Sequence, residues 1–195
     1  GYNEMLQTSD NSQTMETAAT MGKHISRMEN YVSSMSNIRR MEDTQPEYKL
    51  IDLQPLVSSL YDSAKIICTK NGKELILQND ISVLQLSLDS AFISQVCNNL
   101  ISNAVRYART LVTISFALHD NGLLLSVSDD GNGFDKDSLQ KAANPYFTGE
   151  SNHSEHFGLG LYICKLLCKH HNGYLKIENT ASGAKVSAYF KSPAL

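Results

Sequence analysis

The sequence predicts an α+β fold: one long helix, then a two-layer α/β sandwich in which a mixed, mostly antiparallel sheet carries helices on one face. Two observations predict it. Between Met15 and Asp43 apolar residues recur at threes and fours, the period of a helix, and after Pro46 segments of period two alternate with segments of helical period. Turn pairs separate these segments at Asn71-Gly72, Asn121-Gly122, Asn172-Gly173 and Ser182-Gly183. With 195 residues, 42% of them apolar, the chain can build a substantial core.

Taken in order, residues 1–14 are polar and predict a loop or a frayed end. Met21, Ile25, Met28, Tyr31 or Val32, Met35, Ile38 and Met41 then form an apolar stripe on an amphipathic helix. A stripe this narrow has no core of its own, so the helix is expected to belong to a coiled-coil-like hairpin or dimer. Pro46 breaks it, and the expected domains are 1–45 and 46–195. YKLIDL (48–53) predicts a short strand, and LQPLVSSLYDSAKIICTKNG (53–72) a helix stopped by Asn71-Gly72. KELILQN and SVLQLSL read as two strands, and residues 89–108 as a helix capped by Asp89 or Ser90. TLVTISFALHD and GLLLSVSD predict a hairpin about Asn121-Gly122. A short helix (135–143), a long loop (144–158), a helix closed by Asn172-Gly173 and a last hairpin about Ser182-Gly183 complete the chain.

Composition narrows the function classes. A net charge of −3 without a run of Lys or Arg gives no reason to expect nucleic acid as a partner. No apolar run reaches the roughly 18 residues of a membrane span, and no signal peptide opens the chain. The chain begins with Gly rather than Met, as an excised piece of a longer protein would. Cys68, Cys97, Cys164 and Cys168 fall inside apolar periodic segments and read as reduced core residues of a cytosolic protein. A metal site at Cys164, Cys168, His170 and His171 is the alternative to packing there. The six histidines are scattered, and each is expected at the surface.

Three constellations carry chemistry. On the helix of residues 89–108, Asn99, Asn103 and either Arg106 or Tyr107 share one face, opposite Phe92, Val96 and Leu100. Asn is a poor residue for a helix interior, so two at i and i+4 need a reason. Their neutral oxygens can hold a hydrated Mg²⁺ while phosphates supply the charge, with Arg106 near the phosphate oxygens. Gly158 and Gly160 open the next long helix, where phosphates can approach the unpaired N–H groups of a first turn. In LLLSVSDDGNGFD, a strand leaves the core on two adjacent carboxylates followed by Gly131 and Gly133. Alternation from Leu123, Leu125 and Val127 turns Asp129 inward and leaves Asp130 to turn chemistry.

In this order the segments resemble the catalytic domain of sensor histidine kinases, within the gyrase, heat-shock chaperone, histidine kinase and MutL ATPase superfamily. NNLISNAVRY resembles the N box, DDGNG the first glycine box, PYF a degenerate aromatic box, GLGL the second glycine box and SGAKVSAYF the closing strand region. The resemblance runs from about Tyr48 to Phe190 and implies a Bergerat-type ATP fold. It implies that Asp129 accepts a hydrogen bond from the adenine amino group and that Gly131 and Gly133 let the chain pass close to the base. Asn103 would hold Mg²⁺ with Asn99 as its neighbour, while Arg106 and Tyr107 approach phosphates or ribose. Tyr146 and Phe147 fall in the ATP lid, about 143–157, and Gly158, Leu159, Gly160 and Leu161 form its phosphate-facing hinge. The helix of residues 15–43 resembles the second helix of the dimerisation and phosphotransfer hairpin, implying a homodimer.

Departures from the pattern are informative. Ala143 stands where the aromatic box begins with Phe, and His156 replaces a glycine before the second glycine box. The phosphoacceptor motif, a His followed by an acidic residue, is missing: His24 precedes Ile25 and Ser26, so the acceptor is expected upstream of residue 1. Superfamily hydrolases and serine-type kinases carry a Glu one turn before the Mg-binding Asn, where it serves as general base. Asn99 occupies that position here, and an amide accepts no proton at neutral pH. The expected activity is therefore ATP-dependent histidine phosphorylation, with relay to an Asp of a response regulator receiver domain. A degenerate nucleotide-binding or dimeric signalling module without phosphotransfer is the alternative. The chain is expected to be a cytoplasmic domain of a parent anchored in the membrane.

Overall fold

The computed structural model describes residues 17–22, 24–26, 28, 29, 39, 41–82, 84–147 and 158–193. They fall into two compact units, one ending at Asp43 and one beginning at Thr44. In the first, residues 17–22, 24–26, 28, 29, 39 and 41–43 are helical, and Met21, Ile25 and Met28 are exposed. Tyr31, Val32, Met35 and Ile38 lie outside the described residues, as do 1–14. Among the described residues no helix is long and apolar enough to cross a membrane.

The second unit runs β1 (Lys49–Asp52), α1 (Leu53–Lys70), β2 (Glu74–Asp80), β3 (Gln85–Leu88), α2 (Ser90–Tyr107), β4 (Leu111–His119), β5 (Gly122–Asp129), α3 (Lys136–Lys141), α4 (Gly160–His170), β6 (Tyr174–Asn179) and β7 (Ala184–Lys191). β1 and β3 pair as a separate antiparallel ribbon, and the main sheet has the order β2-β4-β5-β7-β6. Only β2–β4 is parallel, because β3 and α2 intervene between those strands and return the chain in the same direction. The sheet is thus mixed and mostly antiparallel.

Alternation decides which side chains meet the helices. Val112, Ile114 and Phe116 of β4 are buried, as are Leu123, Leu125 and Val127 of β5 and Val186, Ala188 and Phe190 of β7. In register they form cross-strand rows, Phe116–Leu125–Ala188–Leu175 and Ile114–Val127–Val186–Ile177. α2 lies between α1 and α4 and contacts β4, β5 and β7, burying Phe92, Ile93, Val96, Cys97, Leu100 and Ile101. Asp89 caps it, accepting from the N–H groups of Ala91 (2.9 Å) and Phe92 (3.1 Å). All four cysteines are buried and free.

Two expectations are corrected. The β4–β5 turn is Asp120-Asn121, with φ of 39° and 60°, rather than Asn121-Gly122. Gly122 already belongs to β5, where a Cβ would strike the Phe190 carbonyl and the Tyr189 ring. More consequentially, His171 is fully buried rather than at the surface. Its Nε2 accepts from the Asp89 N–H at 2.9 Å, which leaves Nδ1 to carry the proton and donate to the Lys191 carbonyl at 3.1 Å. The ring packs edge-on to Tyr48 (4.7 Å between centroids) and Phe190 (5.6 Å). Both nitrogens are satisfied by backbone, so the neutral ring can be buried at little polar cost.

Candidate functional site

Asp129 ends β5 directly opposite Val112, in the inward-facing column of the sheet. A carboxylate therefore occupies the last position of a column that is otherwise apolar. Its Oδ1 accepts from the Gly131 N–H at 2.9 Å and, at the 3.5 Å limit, from the Ala184 N–H. Burial raises its pKa, outweighing the two backbone donors that lower it. Among the described residues, the hydrogen bonds of this carboxylate all fall on Oδ1. Oδ2 is thus the atom open to a donor from outside the protein.

Asp130 is turned the other way. It accepts from the N–H groups of Arg109 (2.7 Å) and Thr110 (3.0 Å) and from the Thr110 hydroxyl (2.7 Å). These donors, the Thr110 hydroxyl foremost, hold its carboxyl well below the usual range. Asp130 thereby ties the glycine-rich loop to the connection between α2 and β4. Gly131 is required by closeness: a Cβ there would meet the Tyr107 carbonyl oxygen and stand 2.8 Å from Asp129 Oδ1. Gly133 adopts a φ of 75°, the left-handed region.

Asn99 and Asn103 lie half-buried on the side of α2 that faces α4. Asn99 Nδ2 donates to the Gly160 carbonyl at 3.4 Å, and a Cβ on Gly160 would sit 3.8 Å from Asn103 Nδ2. The two amides and the first turn of α4 thus border the same space. The N-cap residue Leu159 offers that turn no side-chain cap, and the first N–H groups of a helix have no partner within it. Gly158, with φ 65°, packs so closely on the Phe147 backbone that a Cβ would overlap it. The chain on either side of 148–157 therefore meets here, and the intervening residues, His156 included, lie outside the described ones. Tyr146 is exposed and also has φ 65°. Arg106 and Tyr107 are exposed, with the guanidinium over the Tyr107 ring at 5.8 Å.

The donor set bears on a metal. Among the described residues, no three His, Cys, Asp or Glu side chains come together as ligands. Two neutral amides beside a helix start fit a Mg²⁺ that takes its remaining ligands from phosphates and water. Cys164, in this interface, is fully buried, and burial pushes its thiol up to about 12. Cys168 is likewise buried, in keeping with packing rather than coordination.

Several residues of this site carry no signal in the sequence. Arg109 Nη2 donates to Asn132 Oδ1 at 2.6 Å. The Asn179 side chain accepts from the Phe134 N–H at 2.8 Å and donates to the Phe134 carbonyl at 2.7 Å. Both partners are distant in sequence, and Asn before a turn is common enough to pass unnoticed.

The profile of the family described as histidine kinase-, DNA gyrase B-, and HSP90-like ATPase matches residues 88–194. The chain is 26% identical over 202 residues to the sensor histidine kinase YvrG of Bacillus subtilis, covering 98% of this chain and 35% of that protein. It is 26% identical over 178 residues to the sensor histidine kinase CpxA of Escherichia coli, covering 90% of this chain and 38% of that one. It thus spans little more than a third of these relatives. The catalytic domain of the histidine kinase ThkA shares its fold, with a TM-score of 0.66 and 23% identity over 75% of this chain and 96% of that domain. Full-length ShkA, solved in complex with AMPPNP, superposes with a TM-score of 0.73 and 15% identity, covering 100% of this chain and 42% of ShkA. The chain belongs to the histidine kinase-, DNA gyrase B- and HSP90-like ATPase family, and its fold is the one seen in sensor histidine kinase catalytic domains.

Proposed function

We propose that the chain is the kinase core of a two-component sensor histidine kinase, binding Mg-ATP between α2, α4 and the Asp129 loop. The observation that carries this reading is Asp129, a half-buried carboxylate at the end of an apolar column with Oδ2 open to a donor. The adenine amino group is such a donor, and a hydrogen bond to a desolvated carboxylate is stronger than one in water. Asn103 and Asn99 would hold Mg²⁺, which when bound neutralises phosphate charge. The N-terminus of α4 would receive phosphate oxygens, favoured by the backbone N–H groups of its first turn and by the helix dipole.

In the complete protein a histidine nitrogen attacks the γ-phosphorus, ADP leaves, and the phosphoryl group passes to an aspartate on a response regulator receiver domain. Histidine brings its own lone pair, so the core has to position and neutralise rather than supply a base. Asn99, engaged with the Gly160 carbonyl, suits that role and makes hydrolysis slow. Residues 1–45 would contribute to the dimerisation hairpin, 46–195 would be the catalytic domain, and the parent would be anchored in the membrane. Titration calorimetry with ATP, with and without Mg²⁺, tests the reading. Wild type should bind and Asp129→Asn should bind about tenfold more weakly, the equivalent of one charge-assisted hydrogen bond. Unchanged affinity in that variant overturns the adenine assignment. Incubated alone with labelled ATP, the chain should not label itself, and label on His24 would overturn the missing-acceptor reading.

A further inference from the structure

We propose that Asn179 is a positioning residue for the nucleotide base, acting through the glycine-rich loop that follows Asp129; this rests on the ATP-binding reading above. The loop from Gly131 to Phe134 leaves the sheet and, among the described residues, has no strand partner of its own. Its far end is held by the Asn179 side chain, which binds both the N–H and the carbonyl of Phe134, as a neighbouring strand would. Gly133 lies against the same amide: a Cβ there would stand 2.7 Å from Asn179 Oδ1. The near end is held by Asp130 on Arg109 and Thr110, and the middle by Arg109 on Asn132.

Packing holds the two ends of this stretch, Gly131 against the Tyr107 carbonyl and Phe134 against the core, and leaves its middle more open. A polar cavity of about 340 Å³ lies against the loop, lined by Arg109, Gly131, Asn132, Asn179 and the Thr180–Gly183 turn. With open space on that side, the position of Asn132 and Gly133 depends on the directional bonds as well as on the packing at either end. Gly131 is tied directly to Asp129 Oδ1, whereas the Asn179 pair reaches across from β6 and fixes where Gly133 and Phe134 stand relative to the strand end that presents Asp129. A shift of the loop alters the slot in which a base would lie beside Oδ2. It leaves Asn103 and the start of α4, where the phosphates would sit, in place.

That separation defines the test. Affinities of the whole chain for ATP and for ITP, which carries a carbonyl where adenine carries its amino group, are measured with Mg²⁺ by displacement of a fluorescent nucleotide. Wild type should prefer ATP. Asn179→Ala should weaken ATP on the order of tenfold, the loss of about one to two net hydrogen bonds, and lower the ATP-to-ITP preference by a similar factor. Arg109→Ala, which releases the middle of the loop, should do the same to a smaller extent. Equal weakening of both nucleotides, the result of general unfolding included, overturns the proposal, as does an unchanged preference. Failure of wild type to bind either nucleotide instead overturns the ATP-binding reading itself.

Discussion

Replacing His171 with Phe separates the polar role of the buried ring from its bulk. Phe retains the edge-on contacts with Tyr48 and Phe190 but offers nothing to the Asp89 N–H or the Lys191 carbonyl. The Asp89 N–H, bound at 2.9 Å in a buried setting, would be left unsatisfied at about 1–3 kcal/mol. The half-buried bond to Lys191 adds roughly 0.5–1.5 kcal/mol, so the substitution should cost about 2–4 kcal/mol. With a urea m-value of about 1–3 kcal/mol/M, the unfolding midpoint followed by circular dichroism should fall by roughly 1–2 M. The loss should also depend on pH. Burial lowers the His171 pKa, against the opposing pull of the Lys191 carbonyl and the Asp89 carboxylate. The unfolded chain therefore takes up the proton first, and the wild type loses stability as pH falls below ~6.5, the ordinary histidine value, towards the folded one. The Phe variant lacks that loss, so the gap between the two proteins should be wider at pH 8 than at pH 5.5. A midpoint change too small to measure, or a gap independent of pH, would refute the assignment of His171 as a neutral, doubly bonded link.

Asn103→Ala should abolish most of the Mg²⁺ dependence of ATP affinity, weakening Mg-ATP on the order of tenfold while leaving metal-free ATP almost unchanged, as calorimetry with and without EDTA would show. The four cysteines should be unreactive towards dithio-bis-nitrobenzoate at pH 8 in the native chain and react after unfolding in urea, since all are buried and burial pushes Cys97 and Cys164 up to about 12. Rapid reaction of either in the native state would show that the α2–α4 interface opens. Gly158→Ala should weaken ATP binding or destabilise the domain, because the position has φ 65° and its Cβ would overlap the Phe147 backbone. A variant indistinguishable from wild type in melting and in affinity would show that this junction is not held as described.

The features legible in the sequence are those that repeat along the chain. Asn99 and Asn103 share a helix face because of the 3.6-residue period, and Asp129 turns inward because strands alternate, so both could be placed before any fold was known. The same local rules gave the caps and most strand boundaries. They placed the β4–β5 turn one residue late, because Gly122 is needed for its closeness to β7 rather than for its turn conformation. What tertiary structure alone decided is which distant groups come to share a bond. His171 meets the backbone of Asp89 across 82 residues, and Asn179 meets Phe134 across 45. Neither pairing leaves a periodic trace, since a histidine or an asparagine after an apolar segment looks the same whether water or a remote peptide group satisfies it. A buried polar atom must find a partner, and which one it finds is settled only when the sheet has brought the ends of α4, β6 and the glycine-rich loop together.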